Sequence, residues 1–376
     1  MEAIQRNLLY ANAINTLWWP WSDINKPELW GFAKNQVTPF HLKTSDGETL
    51  YAWHIMPLPL YTAHEEKMAA QPGGLCRDIT QTENFKLLRE DPDSRLVIYL
   101  HGNAGHIAQA IRPHSYHALT DTSSYHVLSI DYRGFGHSTG HPTEEGLIRD
   151  GSAAVDWATH VAGVPAKRIV LLGQSLGTAV ASAVAHRYLV DKASEATDMD
   201  FAGVVLVAAF SSLPTMLAQY RMGGLVPPLA PLRMWPWLLQ RVLDSLVDTW
   251  KSADRWTEVV RTVKGRGGRL RLSLVHAQDD WDIPCTEDDK IFAAAVNGTV
   301  GPEGDLLHVD HLKAEKDKRT VVKGENAFVA TWMDGDVLIR QELAPYGGHN
   351  DIMSYAPVAQ AVMRSFDLVG TGKARS

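Results

Sequence analysis

The chain has 376 residues, 45% hydrophobic and 21% charged, with 36 Lys and Arg against 43 Asp and Glu for a formal net charge of −7. These values supply a sizeable core and exclude disordered and fibrous classes, while the length allows two domains or one large α/β domain with insertions. A mildly acidic chain without a long basic run is not built for nucleic acid, and two cysteines, Cys76 and Cys285, exclude a disulfide framework and a multi-cysteine metal site.

Residues 1–35 carry no basic segment followed by an apolar run, and the sequence holds no stretch of about 18 uninterrupted apolar residues, so no cleaved signal and no membrane span is expected. Cytoplasm is then the default location. Trp18, Trp19, Trp21 and Trp30 stand among Asn and Pro in this segment, which reads as an arm packed on the domain and leaves room for peripheral membrane contact. The chain is unusual in holding 12 Trp against 9 Phe.

Residues 36–376 read as one α/β domain. Two alternating segments, 36–44 and 49–55, flank Ser45-Asp46-Gly47-Glu48 and predict a hairpin. After an irregular stretch, short apolar runs alternate with helical patterns, at 96–100, 126–130, 169–172, 204–207, 270–275 and 336–341. Runs of this kind signal a mostly parallel sheet covered by helices on both faces. Two regions break the rhythm: 214–263, rich in Pro, Trp and Leu, reads as an inserted helical cap, and 296–323 reads as a polar excursion before the last strand.

Gly173-Gln174-Ser175-Leu176-Gly177 matches G-x-S-x-G, a strand-to-helix turn that lifts a serine hydroxyl above a sheet between small flanking residues. Gly136-His137-Ser138-Thr139-Gly140 matches as well, but His141-Pro142 follows it, and proline is poorly placed to continue a helix there. Ser175 instead joins an apolar strand to an Ala-rich helix former, so Ser175 is the candidate nucleophile. Two weaker patterns carry nothing. Gly134-Phe135-Gly136 lacks the third glycine of a dinucleotide loop, and Gly140 and Pro142 deny His137 and His141 a shared helix face for a metal.

A serine nucleophile needs a base, and the base a carboxylate that fixes its tautomer. Asp279, Asp280 and Asp282 follow the fifth apolar run, and Gly347-Gly348-His349 follows the sixth. Both lie past strand ends, where sites of open α/β sheets gather. His349 is the candidate base, and each aspartate competes with a helix cap or an exposed loop charge. The Gly-rich turn His101-Gly102-Asn103-Ala104-Gly105 can aim backbone N–H groups at a developing oxyanion together with the N–H of Leu176, each donor worth about 3–4 kcal/mol. His101, Gly102, Gln174 and Trp281 flank these groups and are expected to contact substrate.

Taken in order, His101 to Gly105, Asp131-Tyr-Arg-Gly-Phe-Gly-His-Ser138, Gly173 to Gly177, His276-Ala-Gln-Asp-Asp-Trp-Asp-Ile-Pro284 and Gly348-His-Asn350 resemble the α/β-hydrolase superfamily. They are most similar to the lipase and esterase branch that includes lysophospholipid and monoacylglycerol lipases. The resemblance implies that the acid follows H-G-x-x-D-x-x-V-P, which puts it at Asp280, with Ala277 in place of Gly, Ile283 in place of Val, and Asp279 as runner-up. It also implies that Asn103 supplies an oxyanion N–H and that residues 131–136 are structural. The chain departs from some lysophospholipid lipases in lacking a hydrophobic anchor, and from short members in its polar excursion.

The expectation is acyl transfer from an ester of a mainly apolar small molecule or lipid through Ser175, His349 and Asp280, without cofactor or metal. Serine at the turn excludes epoxide hydrolases and haloalkane dehalogenases, which need aspartate there. The same residues would serve a transacylase or cyclising hydrolase on a biosynthetic intermediate, and a hydrolase-like binding module would lack one of them. Met216, Leu217, Met222, Leu225, Val226, Leu229, Leu232, Met234 and Leu238 give the cap an apolar surface that suits a medium or long acyl group. Its Trp235, Trp237, Trp250 and Trp256, with those of the arm, are expected to border the acyl entrance. The sequence assigns no oligomeric state.

Overall fold

The computed structural model describes residues 6, 9–14, 16–17, 22–193, 199–221, 229–300 and 309–367. The strands are β1 (Val37–Lys43), β2 (Thr49–Ile55), β3 (Arg95–Leu100), β4 (Tyr125–Ile130), β5 (Ile169–Gln174), β6 (Gly203–Val207), β7 (Leu270–Ala277), β8 (Thr320–Gly324), β9 (Ala327–Asp334) and β10 (Val337–Ala344). They form one sheet in the order β1-β2-β4-β3-β5-β6-β7-β10-β9-β8. The run from β4 to β10 is parallel, and antiparallel pairs close both ends. The expected hairpin is β1 with β2, and Val37 pairs with Ile55 and Lys43 with Thr49. In its turn Thr44 Oγ1 accepts from the Glu48 N–H.

The principal helices are α1 (Leu58–Ala63), α2 (Glu65–Ala70), α3 (Glu83–Glu90), α4 (Arg112–Thr120), α5 (Glu144–Asp156), α6 (Leu176–His186), α7 (Leu213–Gln219), α8 (Pro236–Asp244), α9 (Ser252–Gly265), α10 (Thr286–Thr299), α11 (Val309–Lys318) and α12 (Ala356–Asp367). Because side chains alternate along a strand, β3 turns Leu96, Ile98 and Leu100 to a layer of α5, α6, α9 and α10, and Val97 and Tyr99 to a layer of α4 and α12. Both faces are therefore apolar, as the near-continuous runs require. None of the described helices is long and apolar enough to cross a membrane.

Two expectations are corrected here. The segment 214–263 is not an insertion throughout. Its second half is α9, whose Trp256, Val259, Val260 and Val263 fall at helical spacing and are fully buried. Trp256 also donates from Nε1 to Ser182 Oγ of α6 at 2.9 Å, and Trp250 is buried as well. Among the described residues the first part of the segment holds α7, whose Met216 packs inward, a short 3-10 turn at Ala230–Met234 and the more exposed α8. Of the residues proposed to line a pocket, Met216 packs into the core, Met234 is exposed, and Met222, Leu225 and Val226 lie outside the described residues.

The polar excursion at 296–323 is likewise structured where described. Val296 belongs to the buried end of α10, α11 follows, and β8 and β9 extend the sheet by an antiparallel pair. Strand β9 leaves little mark in the sequence because half of its residues are partly exposed, which weakens the apolar alternation.

Of the arm, Trp18, Trp19 and Trp21 lie outside the described residues. Trp30 packs edge-on against Trp53 of β2 at 5.7 Å, beside buried Ile24 and Phe32.

A buried histidine pair joins β2 to β4, with His54 Nε2 3.0 Å from His126 Nδ1. Burial holds His54 down at about 3 and His126 well below the ordinary histidine value. Both are neutral when folded and bind protons more readily when unfolded. Their contribution is therefore complete above about pH 6.5 and is lost as the pH falls toward the folded value. Urea unfolding is expected to give a lower stability at pH 5 than at pH 7, and His54→Phe with His126→Leu should shrink that difference; an unchanged difference would contradict it.

Candidate active site

The chain passes from β3 to β4 on one side and returns to β5 on the other, so the loops after β3 and β5 flank a switch point at the C-terminal edge of the sheet. Ser175 sits there, between the end of β5 and the start of α6, with φ 51° and ψ −117°. A non-glycine residue in such a conformation costs about 1–3 kcal/mol and persists only when its surroundings impose it. They do so by proximity. A Cβ on Gly177 would stand 1.9 Å from the Leu100 carbonyl oxygen of β3, and one on Gly173 would stand 2.3 Å from the Gly177 carbonyl oxygen. The Ser175 N–H donates to the Val207 carbonyl of β6 at 3.0 Å, which anchors the turn to the neighbouring strand.

His349 lies in the loop between β10 and α12. Gly347 and Gly348 both have positive φ, and the Gly348 N–H donates to Asp279 Oδ1 at 2.7 Å. The imidazole then meets Asp280, with Nδ1 to Oδ2 at 2.8 Å. The three competing aspartates thus take different jobs. Asp279 holds the loop, Asp280 holds the imidazole, and Asp282 lends its N–H to Asp280 Oδ1. Burial opposes ionisation of Asp280, but hydrogen bonds from His276 and His349 prevail and hold its carboxyl below the usual carboxylate range. A carboxylate in this position fixes the tautomer of His349.

Gln174, expected to contact substrate, instead turns back into the protein and donates from Nε2 to the His349 carbonyl and to Asn350 Oδ1, both at 3.1 Å. It thereby holds the histidine loop beside the residue that precedes Ser175. His101 is also corrected. Its ring is fully buried and lies tilted against that of Tyr132 at 4.4 Å, with Nε2 3.6 Å from Asp131 Oδ1. Burial first, and then the nearby Arg112 charge, lower its pKa. It supports the loop from inside. Gly102 does approach the serine, since a Cβ there would stand 3.4 Å from Ser175 Cβ. Trp281 is 67% exposed at the surface beside Asp280.

The loop after β3 is organised by a residue with no motif to announce it. Arg112 is buried and donates to the carbonyls of Gly102, Ala104 and His106 at 3.0, 2.7 and 2.5 Å. With its carbonyls so engaged, the Asn103 N–H makes no hydrogen bond among the described residues, and neither does that of Leu176. Both remain available as donors. The arm ties down the same loop. The Ala11 N–H donates to Asn103 Oδ1, Asn103 Nδ2 donates to the Leu9 carbonyl, and the Gly105 N–H donates to the Ile14 carbonyl. Tyr10 extends the contact by donating to Asp248 at 2.7 Å. Arm, oxyanion-loop candidate and the segment after α8 are thus joined. Among the described residues Ser175 Oγ makes no hydrogen bond, and contacts of this kind commonly tighten when substrate arrives.

A model of the alpha/beta hydrolase family matches residues 97–361, and the chain belongs to that family. Human protein ABHD12B is 30% identical over 275 residues, 73% of this chain and 66% of the relative. The lysophosphatidylserine lipase ABHD12 of Xenopus tropicalis is 31% identical over 185 residues, 49% of this chain and 42% of the relative. The chain spans less than two thirds of the length of these relatives. A crystal structure of an alpha-beta hydrolase from Vibrio vulnificus aligns over 98% of this chain and 93% of that one, with a TM-score of 0.54 at 14% identity, and so shares the fold.

The tight approach of α6 to β3 yields a direct expectation. Gly177→Ala should destabilise the protein by about 1–3 kcal/mol or more, because the methyl group meets a backbone carbonyl that cannot move aside. Thermal unfolding of the purified variant measures this, and an unchanged midpoint would contradict it.

Proposed function

We propose that the chain is a serine hydrolase that cleaves an ester or related acyl bond of a mainly apolar small molecule or lipid. One observation carries this reading. Gln174, immediately before Ser175, holds the His349 carbonyl while the His349 ring meets Asp280, which gathers a nucleophile, a base and an orienting carboxylate at one end of the sheet. His349, kept in one tautomer by Asp280, takes the Ser175 proton as Oγ attacks the acyl carbonyl. The Asn103 and Leu176 N–H groups receive the oxyanion. His349 then protonates the leaving group, and the same base activates a water that frees Ser175 from the acyl-enzyme.

A lipid or other apolar acyl substrate is supported from two sides. One relative is named a lysophosphatidylserine lipase, and the segment before and within α8 exposes Met234, Trp235 and Trp237. Indole rings suit a boundary that is apolar on one side and wet on the other. In this reading the enzyme works in the cytoplasm and meets its substrate in solution or at a lipid surface.

Ser175→Ala and Asp280→Asn are each expected to lower kcat for a short-chain p-nitrophenyl ester by roughly a thousandfold or more. Asp279→Ala, which removes one loop hydrogen bond, should cost less than about tenfold. Near wild-type turnover by Ser175→Ala would overturn the reading. Across a series from acetyl to decanoyl esters, kcat/KM should rise with chain length, and a steady fall would exclude the apolar acyl preference.

A further inference from the structure

Behind Asp280 lies a second buried pair that the reaction described above does not use. His276, near the end of β7, and Asp288, in the first turn of α10, are both fully enclosed. His276 Nε2 lies 3.2 Å from Asp280 Oδ2 and 3.1 Å from the Ile283 carbonyl oxygen. A carbonyl only accepts, so Nε2 carries a hydrogen. On the other side of the ring, Nδ1 lies 3.1 Å from Asp288 Oδ1. Among the described residues Nδ1 and both oxygens of Asp288 make no hydrogen bond, and Nδ1 and Oδ1 face each other across that distance.

Two bare lone pairs at that distance inside the protein would repel, and a proton carried by either atom removes the repulsion. The arrangement is either an imidazolium with a carboxylate or an imidazole with a carboxylic acid, and its net charge is zero in both. Burial opposes charge on His276, but Asp288 and Asp280 raise its pKa well above the ordinary histidine value, and burial raises that of Asp288. Both directions agree with a retained proton. The surrounding titratable groups are Cys285 at the start of α10, Asp289, which accepts from Lys316 and from Gln341, and beyond Asp280 the side chains of His349 and Tyr220.

Asp280 is thereby held from every side. Its Oδ1 accepts from the N–H groups of Asp282 and Ile283, both at 2.9 Å, and its Oδ2 is shared between His276 and His349. Resting on the assignment of Ser175, His349 and Asp280 as the reacting set, we propose that His276 and Asp288 are positioning residues that keep one buried proton and present the Nε2–H of His276 to Asp280. The second donor fixes the carboxylate toward His349 and withdraws part of its charge.

The test compares pH profiles of kcat and kcat/KM for Asp288→Asn, His276→Ala and His276→Gln on a p-nitrophenyl ester, with Ser175→Ala as the reference. His276→Ala should move the acid limb of kcat/KM to higher pH and lower kcat about tenfold, part of what a positioned acid–base group supplies, with KM little changed. Asp288→Asn, whose amide can still donate to Nδ1 and leave Nε2–H on Asp280, should move the limb the same way by less. His276→Gln, which keeps an N–H toward Asp280, should recover most of kcat. In wild-type protein labelled with 15N-histidine, the signals lost in His276→Gln should not titrate between about pH 5 and 9, whereas an ordinary histidine does so near 6.5. This readout survives even if His276→Ala fails to fold. A wild-type His276 titrating near 6.5, or an acid limb unmoved in folded Asp288→Asn and His276→Ala, would overturn the role of the pair while leaving the loss in Ser175→Ala intact. Retained turnover in Ser175→Ala would overturn both.

Discussion

At Ser175 the chain leaves β5 and enters α6 with a positive φ, and the helix runs back so close to β3 that Gly177 has no room for a side chain. Much of the site follows from that approach. It puts the start of α6 against the end of β3, so the loop carrying Asn103 lies beside the serine. Because β3 and β5 are neighbours at the switch point, the short loops that follow them, carrying Asn103 and Ser175, lie side by side. The strain at Ser175 is sustained by the ten-stranded sheet, whose core strands are buried on both faces.

The remaining parts are held by polar groups inside the protein, each aimed at backbone or at another held group. Arg112 gathers four carbonyls of the loop after β3, Asp279 captures the Gly348 N–H, and Gln174 captures the His349 carbonyl. Such bonds cost little once the groups are buried together, and breaking one leaves its partner unsatisfied. The arm adds a further clasp through Asn103. A residue whose backbone is a candidate oxyanion donor therefore also anchors the N-terminal segment by its side chain.

Legibility in the sequence differed by the physics of each feature. The sheet was readable because both faces of its central strands are covered, which leaves unbroken apolar runs. Ser175 was readable because a tight strand-to-helix turn demands glycine at fixed offsets, and the glycine before His349 left a comparable mark. Residue spacing alone could not separate Asp279 from Asp280. Adjacent residues point in different directions, and which one reaches His349 depends on the backbone path after β7. His276 and Asp288 left no joint signal, since a strand and a helix bring them together. Tryptophan content misled for α9, because composition does not say which side of a helix faces the core. Trp250 and Trp256 are core residues, while Trp235 and Trp237 are exposed.

The central claim is that Ser175 is an activated nucleophile, held by this turn and served by His349 and Asp280. Reaction of the folded protein with a fluorophosphonate, followed by peptide mapping in a mass spectrometer, tests it most directly. The account predicts a single covalent adduct on Ser175 that is lost on unfolding before labelling and in Asp280→Asn is formed far more slowly. Absence of an adduct on the folded protein, or an adduct on another serine, would contradict it.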